Sequence, residues 1–449
     1  MNIQQPPRHG KNQSLEAAVA EAEERYVAAN PGSRRLADAA RSTLPGGNTR
    51  TTLFFSPFPL YMAGGKGSTL TDVDGHTYVD FVNEYTAGLF GHSHPVVKDA
   101  IETALGGGLN LGAPTAGEVE LSAAIRRRFP AMELLRFCNS GTEANLLALA
   151  TARAHTGKSH VMIFDAAYHG SLFYFGHGPS PLNMPFPVVT STFNDPERAA
   201  NDIARHAKDL AAVIVEPMQG SGGALAGTPE FLRALREATA RHGVLLVYDE
   251  VMTSRAHKGG LQARDGIRPD LVTLGKYLGG GITFGAFGGR ADVMARFDPA
   301  NPDAWPHGGT FNNNVLAMTA GARVVNEVLT DEALDRLNAL GDSVRERLNA
   351  LGRKHALPVQ ATGVGSIFGL HFHDGPIRNA HDIEEGAKGR EDALASLKKL
   401  FHLDMLAAGV YIARRGMGNL SLASSEADAD TLVAAVDEFL ASRADLIRA

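Results

Sequence analysis

From about residue 90 the chain alternates short apolar runs with stretches whose apolar residues recur at helical spacing. The runs are 135–137, 160–164, 211–215, 244–248 and 271–274; the helical stretches between them include 142–156, 195–208 and 229–242. A run that is apolar at successive positions needs cover on both faces. Strand and helix alternating over ~150 residues therefore predict an α/β unit, a mainly parallel sheet with helices on both sides. Ligands bind such a sheet beyond the carboxyl ends of its strands. The residues that follow each run are the ones to search for chemistry.

The flanks read differently. Residues 14–30 carry Leu15, Val19, Ala22 and Tyr26 at helical spacing, Pro45-Gly46-Gly47 breaks the chain, and 53–62 is apolar. Residues 69–81 alternate as a strand pair around a turn at Asp74-Gly75. After residue 330 come a long helix over 331–354, a strand over 359–372, a second long helix and a closing helix from about 425. This pattern is that of a smaller α+β unit. The expected division is 1–65 as an N-terminal arm and joining segment, 66–330 as the large domain and 331–449 as the small one.

Composition narrows the classes. Lys plus Arg number 43 against 49 Asp plus Glu, a net charge of -6, which disfavours a nucleic-acid binder with a broad basic face. Cys138 is the only cysteine, so neither an intrachain disulfide nor a Cys-rich zinc site can form. No apolar run approaches the ~20 residues of a membrane span. Residues 1–13 are polar and lack a signal-peptide core, and are expected to form a flexible arm. The expected location is cytoplasmic, in a reducing setting. Glycine is in excess at 49 residues, gathered in bursts such as Gly279-Gly280-Gly281, a pattern that marks tight turns or close backbone approach to a ligand.

Four strand ends stand out, each with a plainer reading beside the chemical one. Asn139-Ser140-Gly141-Thr142-Glu143-Ala144 follows the first run and opens a helix, either as an anion-binding turn or as an ordinary Ser/Thr cap. Tyr168-His169-Gly170 follows the second run and offers either an aromatic wall or a half-buried Tyr with a core His. The run at 244–248 ends in Asp249-Glu250. A carboxylate there needs a partner such as a basic group or a protonated ring nitrogen, unless it is a helix cap. The run at 271–274 ends in Gly275-Lys276, placed as a Schiff-base lysine needs, or as a solvated loop lysine. Taken together, a phosphate turn, an aromatic wall, a carboxylate and a lysine on successive strands of one sheet supply what pyridoxal phosphate requires. His371-Phe372-His373 fits strand alternation better than a metal site, and no metal is expected.

These motifs, with Glu216-Pro217, Asp249-Glu250-Val251-Met252-Thr253 and Gly309-Thr310-Phe311, resemble those of the class III aminotransferases. The resemblance runs from about Gly46 to the C-terminus. Pro45-Gly46-Gly47-Asn48-Thr49-Arg50 and Gly285-Ala286-Phe287-Gly288-Gly289-Arg290 resemble the glutamate-1-semialdehyde aminomutase branch. Glu84-Tyr85-Thr86-Ala87-Gly88, Met252-Thr253-Ser254-Arg255 and 411–416 are similar to the β-amino-acid (β-phenylalanine) aminotransferases. The resemblance implies the pyridoxal-phosphate transferase fold of type I, with a seven-stranded, mainly parallel sheet, and a homodimer with shared active sites.

It further implies that Lys276 is the Schiff-base lysine and proton carrier, and that Asp249 pairs with the ring nitrogen. Tyr168 and Met252, or its neighbour Val251, would flank the ring. Ser140, Gly141 and Thr142 would hold the phosphate, with Thr310 reaching it from the other subunit, and Glu216 joins the cofactor-binding set. Arg50 and Arg415 suit substrate carboxylates, since a guanidinium matches a carboxylate bidentately. Gly418 and Asn419 stand where apolar residues are expected after Arg415. Phe54, Phe55 and Phe58 offer an apolar surface for a side chain. The implied reaction moves the amine of a β-amino acid, such as 3-amino-3-phenylpropionate, to 2-oxoglutarate or pyruvate. The alternative is glutamate-1-semialdehyde 2,1-aminomutase. A third reading, a binding protein that has lost catalysis, sits poorly with an intact Lys276 and Asp249.

Overall fold

A computed structural model describes residues 14–176 and 178–448; the expected flexible arm at 1–13 lies outside them. Seven strands form the central sheet, in the spatial order Leu134–Cys138, Gly285–Gly289, Leu271–Gly275, Leu245–Asp249, Leu210–Val215, His160–Phe164, Val188–Ser191. All pairings are parallel except those of Gly285–Gly289, which runs antiparallel to both its neighbours. Leu210–Val215, Leu245–Asp249 and Leu271–Gly275 are buried throughout, as strands covered on both faces must be.

Helix Gly141–Thr156 packs against five of the strands, and Pro196–His206 packs on Pro229–His242. The antiparallel strand did not stand out as one in the sequence because three of its five residues are glycine. They are needed there. A Cβ on Gly289 would lie 2.1 Å from the Asp270 carbonyl oxygen, and one on Gly285 would lie 2.3 Å from that of Ser140.

A second sheet pairs Met62–Lys66, Thr69–Asp72 and Thr77–Asp80 as an antiparallel run, and Val410–Tyr411 adds to it in parallel. The expected boundary after residue 65 therefore falls inside this sheet. The strand expected over 359–372 is instead a hairpin, Val359–Val364 and Ile367–Phe372, extended by Met417–Asn419. Gly365 makes its turn at φ +54. Helix Leu15–Ala29 lies on Glu391–Ala407, and Asp331–His355 lies on Glu426–Arg448. Phe55 and Phe58 are buried against Tyr26 in this layer. Of the three phenylalanines expected to face a ligand, only Phe54 is exposed. Tyr26 sits on the inner face of the first helix and draws the other two inward.

Candidate active site

The carboxyl edge of the sheet brings Asp249, Lys276 and the turn at 139–142 close together. Asp249 is the last residue of its strand and 4% exposed. Its Oδ2 accepts from Asn145 Nδ2 at 2.7 Å and faces His169 Nδ1 at 2.8 Å; its Oδ1 accepts from the Val251 amide at 3.1 Å. Asn145 is fixed in turn by the Thr273 hydroxyl, 2.6 Å from its Oδ1. A carboxylate held by this many donors stays in one orientation. Neither Asn145 nor His169 was assigned a role from sequence. The signal for His169 was its place between Tyr168 and Gly170. Asn145 carried none, since it becomes a partner of Asp249 only when helix and sheet pack.

Lys276 follows the adjacent strand in a left-handed conformation, φ +57. Its Nζ donates to the Tyr85 carbonyl at 2.6 Å. Burial, reinforced by the Arg50 charge and opposed by Asp249, pushes the amine down to about 8. The Tyr85 ring in turn carries both arginines, with the Arg50 guanidinium 5.7 Å and that of Arg415 5.6 Å from its centre. Arg50 also pairs with Glu84, and an Arg415 Nη lies 2.9 Å from Met417 Sδ. Of the Arg414-Arg415 doublet, Arg415 is the member over this ring. Both Arg50 and Arg415 are close enough to act on Tyr168 as well as Lys276.

Ser140 caps helix Gly141–Thr156, its Oγ accepting from the Glu143 amide at 3.1 Å. The hydroxyl proton remains for an anion, alongside first-turn amides that have no intrahelical acceptor. Gly141 lies under Val251: a Cβ there would come within 2.7 Å of Val251 Cγ1, and one on Gly275 within 3.3 Å of the same methyl. Val251 thus covers the ground between the phosphate turn and Lys276. Met252 turns its sulfur to Gly220 instead. Thr142 Oγ1 accepts weakly from the Ser171 amide at 3.4 Å.

Tyr168 is 43% exposed and packs edge-on to Tyr174. Its amide donates to Glu216, which also accepts from Gly220. Burial pushes Glu216 up to about 7. Thr310 is exposed on the turn whose Asn312 accepts from Asn139 at 3.0 Å. Among the described residues no hydrogen bond joins Thr310 to the cluster.

The set fits pyridoxal phosphate on its own geometry. A buried, oriented carboxylate is available to a protonated ring nitrogen, and a lysine with a depressed pKa stands one strand away. A capped helix N-terminus with a glycine too close to Val251 for any side chain suits the phosphate.

The model of the family "Aminotransferase class-III" matches residues 55–176 and 178–431. The chain is 46% identical over 435 residues to a beta-phenylalanine transaminase of Variovorax paradoxus, covering 97% of this chain and 98% of that one. It is 37% identical over 433 residues to a glutamate-1-semialdehyde 2,1-aminomutase of Sorangium cellulosum, covering 92% and 97%. The crystal structure of a beta-phenylalanine aminotransferase from Variovorax paradoxus superposes with a TM-score of 0.93 at 45% identity, covering 96% and 99%. Among the described residues no helix is long and apolar enough to cross a membrane. The chain belongs to the class III aminotransferases, the pyridoxal-phosphate enzymes of this fold.

Proposed function

We propose that this enzyme moves the amine of a β-amino acid, aromatic or aliphatic, to a 2-oxo acid. The observation that carries the reading is the placement of Arg50 and Arg415 on one tyrosine ring beside the Lys276 amine. Two guanidiniums there can serve carboxylates of different reach, that of the donor and that of the acceptor. Near-full-length similarity to a beta-phenylalanine transaminase supports the same substrate class.

When bound, pyridoxal phosphate supplies an electron sink for the carbon that bears the amine. In this chain Ser140, Gly141 and Thr142 hold the phosphate. Asp249 keeps a proton on the ring nitrogen, and His169 and Asn145 hold Asp249 in place. Tyr168 and Val251 would flank the ring; the position of Val251 against both Gly141 and Gly275 supports it ahead of Met252. Glu216 anchors the Tyr168 backbone. Lys276 Nζ takes a proton from the amine-bearing carbon and returns it, which its depressed pKa allows near neutral pH. Phe54 remains available to an apolar side chain.

The enzyme works as a homodimer in this reading. Leu105, Leu109, Leu111, Val119 and Phe311 are exposed. They lie on or beside helices Pro95–Gly107 and Ala116–Arg128 and at the entry to Val315–Glu327, which packs on both. Exposed apolar residues grouped in this way mark a partner surface, and Thr310 lies next to Phe311.

Purified enzyme given 3-amino-3-phenylpropionate and 2-oxoglutarate is expected to form glutamate. No amino transfer, with brisk turnover of glutamate-1-semialdehyde in the absence of any 2-oxo acid, would show the aminomutase reaction instead. Arg50→Ala and Arg415→Ala should each remove a charge-assisted pair worth about 1.5–3 kcal/mol. Steady-state kinetics should then show KM raised about 10–100-fold, one variant mainly for the β-amino acid and the other mainly for the 2-oxo acid. A KM for both substrates that neither variant changes would remove the arginines from the site.

A further inference from the structure

Residues Asn83, Glu84, Tyr85 and Thr86 all have positive φ, at 40, 51, 51 and 78. A single non-glycine residue in this region is uncommon, and four in succession hold a shape the backbone would otherwise leave. The turn is pinned at both ends. At its entry Asp80 Oδ1 accepts from the Val82 and Asn83 amides, and Asn83 Nδ2 donates to the Asn419 carbonyl at 2.7 Å. Asn419 Nδ2 returns a bond to the Val82 carbonyl at 2.8 Å.

At the exit stands Arg255, fully buried, with no carboxylate partner among the described residues. It donates to the Thr86 carbonyl at 3.3 Å, to Asn419 Oδ1 at 3.0 Å and to the Leu420 carbonyl. Burying an unpaired cation is unfavourable, and here its fork is committed to backbone carbonyls and one amide that converge on this turn. The turn in turn presents the Tyr85 carbonyl to Lys276 Nζ and the Tyr85 ring to Arg50 and Arg415.

We propose that Arg255 and Asn419 are positioning residues for Lys276, clamping the 83–86 turn in its left-handed path so that the Tyr85 carbonyl meets the lysine amine. Neither side chain touches that amine; they act through the turn. Asn419, polar where an apolar residue is expected, is explained as the amide that ties Arg255 to Val82. The inference rests on the reading of Lys276 as the proton carrier, but its test does not depend on which substrate is turned over.

Asn419→Leu and Arg255→Lys both keep the local charge while breaking or weakening the clamp. In the apoprotein, the pH dependence of Lys276 reductive methylation by formaldehyde and a hydride donor gives the amine's midpoint. Losing the carbonyl acceptor should lower that midpoint by about one pH unit in Asn419→Leu, and by less in Arg255→Lys. Hydrogen exchange of the peptide spanning the turn should rise in the same order. With the substrates the parent enzyme accepts, kcat should fall on the order of 10²-fold, as for a catalytic group displaced by ~1 Å, with little change in KM.

Folded variants that keep the parental midpoint and the parental exchange would overturn the proposal, whatever their kcat. If Asn419→Leu does not fold, Arg255→Lys decides. A parent enzyme that fails to transaminate β-amino acids would count against the substrate reading alone, because midpoint and exchange are read without substrate.

Discussion

Lys276→Met is expected to abolish transamination while making the apoprotein more stable at pH 7. The activity loss follows from the position of the amine. It stands at the end of the strand beside Asp249 and is held on the Tyr85 carbonyl. If Lys276 is both the covalent anchor and the proton carrier, as proposed, its removal should lower kcat by at least about 10⁴-fold, read by single-turnover kinetics with the amine donor. A variant with kcat within tenfold of the parent would contradict the assignment.

The stability gain follows from linkage. The folded-state pKa of about 8 lies below the ordinary lysine value of 10.5, so between the two the unfolded chain binds the extra proton. The cost of burying the ammonium is then present in full below about pH 8 and fades as pH rises toward about 10.5. Thermal unfolding of the two apoproteins should show Lys276→Met ahead at pH 7, with the gap closing across that window. A gap that widens with pH would mean that the amine is not held depressed. Active sites commonly give up stability for function in this way.

Asp249→Asn carries the second large effect. The substitution preserves size and removes the charge proposed to pair with the ring nitrogen. Electrostatic groups aimed at the reacting centre are worth about 10²–10³ in kcat, and a loss of that size is expected in the half-reaction with the amine donor. An amide also fits the surroundings poorly. Asn145 Nδ2 and His169 Nδ1 face Oδ2, and the Val251 amide faces Oδ1. The amino group of the introduced amide must meet a donor whichever way it turns, Asn145 Nδ2 on one side or the Val251 amide on the other. The purified variant should therefore bind pyridoxal phosphate more weakly, measured by equilibrium dialysis. Parental affinity together with parental rate would free Asp249 of the role.

The strand ends were legible in the sequence because a buried parallel strand needs an unbroken apolar run. Where such a run stops at Asp249, or at Gly275-Lys276, a polar group must stand at the carboxyl edge. The long helices were legible for a related reason, through the periodic apolar faces that they pack inward. Less was visible where glycine replaces side chains, as in the antiparallel strand Gly285–Gly289, or where two short strands run together, as in the hairpin within 359–372.

What the sequence by itself determined is the α/β class, the order of the strand-end motifs and the identity of Lys276 and Asp249 as the groups to watch. Those depend on local pattern, which a chain carries with it. Only the tertiary structure decided that Val251 and not Met252 lies between Gly141 and Gly275, and that Arg415 and not Arg414 stands over Tyr85. It also decided that Phe55 and Phe58 turn into the core, and that Arg255 and Asn419 close on the turn at 83–86. Each of these contacts joins residues far apart in the chain, 164 positions in the case of Arg255 and Asn419. Such pairs are set by how sheets and helices pack, and no local periodicity records them.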